Sequence, residues 1–235
     1  MNKELFIKEL KKINIDITEE QLKKLNTYYN FLKEYNEHTN LTAITEEEEI
    51  YLKHFFDSLT IVKAHNFQDE KILDIGSGAG FPGMILKIFY PDLDMFLLDS
   101  NNKKTRFLEE LSQKLELKKI SIIKDRAEEY IRNNREKFDI VTSRAVANLT
   151  TLSEISIPFV KENGLFIPLK GGNKEEIKEA EYAIKELGGE IKDIIEFKLP
   201  IENSNRNIII IKKVKKTPNK YPRQYSQIIK NPLKK

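Results

Sequence analysis

The residues of this 235-residue chain that could do chemistry gather at a few short places, and the first is ILDIGSGAGFPG, residues 72–83. An aliphatic run breaks there into glycines and then into a helix start. Gly78, Gly80 and Gly83 fit a dinucleotide fingerprint, whereas Gly76, Gly78 and Gly80 fit an S-adenosylmethionine loop, so the spacing leaves two cofactor classes open. Alternating glycines let the backbone turn sharply and approach a ligand closely, and Pro82 is placed to open the next helix as its first residue. The carboxylate of Asp74, at the same strand end, suits a ligand carrying an ammonium or sulfonium better than one carrying a pyrophosphate.

Four further places share this character. Asp99 closes LLDS 21 positions after Gly78, where a carboxylate grips ribose hydroxyls in both cofactor classes; capping the next helix is the competing role. Ala127 and Glu128, in KDRAE, can offer backbone and carboxylate groups to an adenine edge. Arg144, alone in TSRAVANL, suits an anion, either the carboxylate of a methionine moiety or a substrate phosphate. Lys170, before Gly171 and Gly172, sets another cation beside a flexible backbone. His54, in HFFDSL, reads first as a packed histidine and second as a substrate-side residue.

These places need elements to position them. From residue 71 onward, strand candidates 72–75, 95–99, 120–124, 138–142 and 164–169 alternate with helical patterns starting near Phe81, Lys103, Ala127, Leu149 and Lys174. That is a βαβ series with a parallel sheet, and it puts every candidate residue above except His54 at or just beyond the carboxyl end of a strand, where ligands bind in such sheets. Runs 191–197 and 207–211, joined by a short polar loop, predict an antiparallel terminal hairpin, hence seven strands with one reversed at the edge. This is the arrangement of class I S-adenosylmethionine-dependent methyltransferases, an α/β, Rossmann-like fold; a dinucleotide dehydrogenase would need a substrate domain for which little chain remains. Upstream, Leu5, Leu10, Leu22, Leu25, Tyr29, Leu32 and Tyr35 recur at helical spacing, and capping boxes are expected at Thr18 with Gln21 and at Thr45 with Glu48. The expected organisation is an N-terminal helical cap over 1–68, a methyltransferase domain over 69–213 and a basic tail over 214–235.

Composition narrows the class. The chain contains no cysteine, which excludes disulfides, thiolate metal sites and a cysteine nucleophile, and no metal is expected. The start MNKELFIKELKK is charged where a signal peptide needs an apolar core, and no run approaches a membrane span, so a cytoplasmic protein without a membrane partner is expected, with a monomer as the assembly state. A net charge of +3 hides an asymmetry. Residues 212–235 carry nine Lys or Arg and no acid, leaving 31 basic against 37 acidic residues before them, so the tail is either a solubilising end or an arm for phosphates.

With Asn40 to Ile44, Tyr51 to Leu59, the glycine loop, Leu98 to Ser100, Arg126 to Glu128, Ser143 to Ala145, Leu169 to Gly171 and Tyr221 to Arg223 laid out, the sequence closely resembles the bacterial ribosomal RNA small subunit methyltransferase G family, also called glucose-inhibited division protein B. The match covers nearly the whole chain. The resemblance implies methyl transfer from S-adenosyl-L-methionine to N7 of a guanine in the 530 loop of 16S ribosomal RNA, on the assembled small ribosomal subunit. It implies Gly76, Phe81, Ala127, Glu128 and Arg144 as cofactor contacts, joined by Gly78, Gly80 and Asp99 from the loop-end argument, and it leaves Lys170, Arg223 and His54 as substrate-binding candidates. Guanine N7 has a free lone pair and no proton to lose, so no catalytic base is expected. The tail departs from the family's usual form after Arg223, where Gln224, Tyr225 and Ser226 replace basic, small and glycine residues. Competing readings are a class I methyltransferase of another RNA or a small molecule, an RNA-binding assembly factor with a vestigial cofactor site, and a nicotinamide-dependent oxidoreductase.

Overall fold

A computed structural model describes residues 1–144 and 146–234; Ala145, of the Ser143 to Ala145 motif, and Lys235, the last tail lysine, lie outside the described residues. Helices come first: α1 Lys3–Lys12, α2 Glu19–Thr39, α3 Glu47–Ile50, a π-helical turn Tyr51–Phe56, α4 Asp57–Leu59 and a 3-10 turn Thr60–Lys63. The rest alternates as β1 Lys71–Ile75, α5 Gly83–Phe89, β2 Asp94–Asp99, α6 Asn102–Lys114, β3 Ile120–Lys124, α7 Ala127–Tyr130, β4 Phe138–Arg144, α8 Leu149–Ser156, β5 Val160–Gly171, α9 Lys174–Glu186, β6 Gly189–Lys198, β7 Asn205–Lys213 and α10 Tyr225–Lys230.

The strands form one sheet in the order β3-β2-β1-β4-β5-β7-β6, parallel except where β7 runs against both β5 and β6. The hairpin expected from the sequence is present, but its reversed strand is interior, not at the edge. Residues Asn207, Ile208 and Ile209 of β7 are all buried, which needs cover on both faces, while β6 alternates charged with half-buried residues and tolerates an edge.

Side chains alternate to two cores. Ile72, Met95, Leu97, Ile140 and Ile167 face α5, α6 and the N-terminal helices, whose Phe6, Leu10, Leu25, Tyr28 and Leu32 join the same apolar cluster; Leu73, Ile75, Leu98, Val141 and Phe166 face α7 to α10. The Thr18 and Gln21 capping box is present, with both reciprocal bonds. That at Thr45 is not: Glu46 is the residue preceding α3, without a side-chain cap bond. Pro82 likewise precedes α5 rather than opening it.

Candidate functional site

The glycine loop leaves β1 with φ of 69° at Gly76, 58° at Gly78 and 100° at Gly80, conformations that side chains with a Cβ rarely adopt. Packing reinforces the need. A Cβ on Gly80 would lie 2.5 Å from the Tyr28 hydroxyl, and one on Gly76 would overlap Val146, whereas at Gly78 the space is open. The loop is tied down from three directions. Tyr28 donates its hydroxyl to Ala79 O, Gly78 N–H donates to Asp99 Oδ2 at 2.9 Å, and Gly76 N–H donates to Leu98 O at 2.8 Å. Phe81 stacks with two rings, its centroid 5.4 Å from Tyr28 and 4.3 Å from His54, both nearly parallel to it.

Asp74 sits beneath this loop and not in the cleft. It is fully buried, its Oδ2 accepts from Gly83 N–H at 2.9 Å, and Oδ1 has no partner. Burial pushes its carboxyl up to about 7, against the pull of the Gly83 N–H and Arg144. Its task is to hold the start of α5, so the expectation that it meets the ligand's cationic groups is not met.

Above the loop, at the point where the strand order reverses between β1 and β4, lies a cleft of about 510 Å³. That is within the ~300–1,000 Å³ of small-molecule sites. Gly76, Gly78, Phe81, Asp99, Ala127, Glu128, Arg144 and His54 line it, together with Leu41, Thr42, Ser100, Asp125, Val146, Ile155 and Tyr225. Gly80 does not line it; it faces Tyr28, Met84 and Leu108. Asp99 spends one oxygen on Gly78 N–H and the other on Asn101 N–H at 2.8 Å, which leaves lone pairs on both for a ligand hydroxyl. The competing capping role falls to Asn101, which caps α6.

A profile for rRNA small subunit methyltransferase G matches residues 21–209. The ribosomal RNA small subunit methyltransferase G of Lachnoclostridium phytofermentans is 49% identical over 232 residues, covering 97% of this chain and 96% of that one, and the protein of the same name from Bacillus subtilis is 47% identical, covering 99% of each. The chain belongs to the rRNA small subunit methyltransferase G family. Its fold is shared more widely: a SAM-dependent methyltransferase from Aquifex aeolicus superposes with a TM-score of 0.54 at 16% identity, covering 72% of this chain and 94% of that one, and TrmN from Thermus thermophilus with 0.55 at 14%, covering 68% and 48%. This is the class I S-adenosylmethionine-dependent methyltransferase fold, seven-stranded with the terminal hairpin.

In this member of the methyltransferase G family, Arg144 does not extend freely from the rim. Its Nη1 donates to Lys53 O at 2.7 Å and to Asp57 Oδ2 at 3.2 Å, and Nη2 donates to His54 Nδ1 at 2.9 Å. An arginine only donates, so His54 Nδ1 accepts and its Nε2–H is left to donate to Thr42 Oγ1, 3.0 Å away. Burial and the Arg144 charge push His54 down to about 3. Asp57 is shared with Arg206, whose Nε donates to Oδ1 at 3.1 Å. Lys170 borders this cluster but donates to Ala147 O and pairs with Glu176 at 2.7 Å, and Arg223 pairs with Glu154 outside the cleft. The sequence reading missed Tyr28, Thr42, Asp57, Arg206 and Tyr225. Asp57 stands in the HFFDSL motif and was legible there; Arg206 becomes visible only once β7 is set beside β5. Among the described residues no group of three or more His, Asp or Glu converges as a metal site, and no helix is long and apolar enough to cross a membrane.

Proposed function

We propose that the protein transfers a methyl group from S-adenosyl-L-methionine to N7 of a guanine in the 530 loop of 16S ribosomal RNA, acting on the small ribosomal subunit as a monomer in the cytoplasm. The observation that carries the reading is the cleft at the β1–β4 switch point, in a chain that belongs to the methyltransferase G family. Its residues suit the cofactor. Gly78 gives open space for a close approach, Asp99 keeps acceptor capacity for ribose hydroxyls, Ala127 and Glu128 suit the adenine edge, and Phe81 and Arg144 remain for the methionine end. Bound there, S-adenosylmethionine supplies an electrophilic methyl carbon on a sulfonium.

What the chain must do is hold and orient. Guanine N7 attacks with its own lone pair and releases no proton, so no general base is required. His54 fits that requirement: both ring nitrogens are engaged, and it is neutral at any physiological pH. The methylated base becomes cationic, which an unpaired arginine would oppose; Asp57 compensates Arg144 and lifts that objection. Fixing donor and acceptor in a near-attack geometry can supply about 7–11 kcal/mol of the barrier. The test is nucleoside analysis after incubating the protein with methyl-labelled cofactor and small subunits from a strain lacking the activity. Label recovered as N7-methylguanosine supports the reading; label in any other nucleoside rules out the N7 assignment.

A further inference from the structure

The segment after β7 is docked against the sheet's α7–α10 face. Thr217 Oγ1 donates to Leu187 O at 2.6 Å, Tyr221 is buried, and Ile228 on α10 is fully buried. Between these anchors Arg223 makes three bonds to one carboxylate: its backbone N–H and Nε donate to Glu154 Oε1 at 2.9 and 2.8 Å, and Nη2 to Oε2 at 2.6 Å. Glu154 is wholly buried, and a buried carboxylate demands such compensation, so this pair fixes where the segment crosses α8.

Two residues later Tyr225 lines the cleft that contains Gly76, Asp99 and Ala127, with Ile155 of α8 as a neighbouring apolar wall. Tyr225 is half-buried and packs against the apolar cluster that includes Ala127, Ile131 and Ile228. Glu128 borders both this cleft and the adjoining hollow lined by Arg223 and Gln224, so the residue immediately before Tyr225 lies on the Glu128 side of the cleft. An aromatic side chain that packs on an apolar cluster and also lines a cleft suits a flat π-system, and the adenine base is the part of the cofactor with one.

Resting on the S-adenosylmethionine reading above, we infer that Tyr225 is a cofactor-binding residue whose ring packs against the adenine, and that the Arg223–Glu154 pair is the device that positions it. Arg223 then acts on the cofactor through the tail, without touching RNA. The role belongs to the ring and not the hydroxyl.

Calorimetric titration of the full chain, without RNA, with S-adenosylhomocysteine and with 5′-methylthioadenosine tests this. The second ligand keeps adenine and ribose and lacks the amino-acid end. Tyr225→Ala is expected to lose about 10- to 100-fold in affinity for both ligands by the same factor, as for one base–aromatic contact, while Tyr225→Phe stays within about twofold of the parent. Tyr225→Lys, which keeps α10 and replaces the ring, guards against a folding defect and is expected to show the same loss. Arg223→Ala is expected to weaken both ligands about 3- to 10-fold in the absence of RNA, a loss that a purely RNA-binding arginine would not show. Parental affinity in a folded Tyr225→Ala or Tyr225→Lys protein overturns the inference and leaves the cofactor reading standing. Failure of the parent chain to bind either ligand overturns the cofactor reading itself, and the inference with it.

Discussion

Phe81, stacked with Tyr28 and His54, links the glycine loop to the N-terminal helices, and small changes around it should be felt in the cleft. Gly80→Ala would force a Cβ onto a backbone at φ of 100° and against the Tyr28 hydroxyl, so a loss of about 2–4 kcal/mol in denaturant unfolding is expected, together with weakened cofactor binding. His54 gives a pH prediction with a definite sign. Its folded form accepts a proton only near pH 3, while the unfolded imidazole does so at its ordinary 6.5. Stability from this group is therefore fully present above pH 6.5 and falls as pH drops toward 3, and His54→Gln should flatten that fall in melts recorded across the range. The methylation rate, in contrast, should show no inflection near 6.5, because His54 stays neutral there. The glycines announced themselves through spacing. Tyr28 did not: the apolar stripe read from the sequence took its neighbour Tyr29, whereas in the packed helix Tyr28 is the buried ring and Tyr29 is only half-buried.

At the level of elements, the π-helical turn Tyr51–Phe56 and the start of α4 bring Lys53 O, His54 and Asp57 to one side of Arg144, at the end of β4. Asp57 faces two guanidiniums, so Asp57→Ala strands Arg144 in a largely buried place; a loss of about 3 kcal/mol is expected in denaturant unfolding, against far less for Arg206→Ala, whose side chain is more exposed. Comparable losses for the two would show that the cluster is not centred on Arg144. The βαβ order and the terminal hairpin could be read from the period of apolar residues. The insertion of β7 between β5 and β6 could not be read that way, because a hairpin's local pattern does not say which of its strands meets the existing sheet.

Across the whole molecule, the N-terminal helices contribute to the same apolar cluster as one face of the sheet, and the tail closes the other face. The tail's charge was legible, but its docking was not: Thr217, Tyr221 and Ile228 have helical spacing, yet Pro218 and Pro222 rule out a continuous helix that would use it. Of the cations at this end of the chain, Lys213, the last residue of β7, is buried against Ile157 O and Glu136, and Arg223 is committed to Glu154. Lys215, Lys216 and Lys230 are exposed and can meet phosphates. Replacing those three by Ala should leave the fold intact and reduce the salt slope of RNA binding by about 0.7 to 0.9 log units for each phosphate no longer neutralised; an unchanged slope would mean that the tail serves the cleft alone. The most direct measurement of the central claim is to map labelled methyl groups on 16S RNA of small subunits incubated with the parent chain and with Asp99→Ala. One labelled guanine N7 in the 530 loop with the parent, and at least about a tenfold slower appearance with Asp99→Ala, is the predicted result. Label elsewhere in the RNA, or an undiminished rate with Asp99→Ala, would contradict the account.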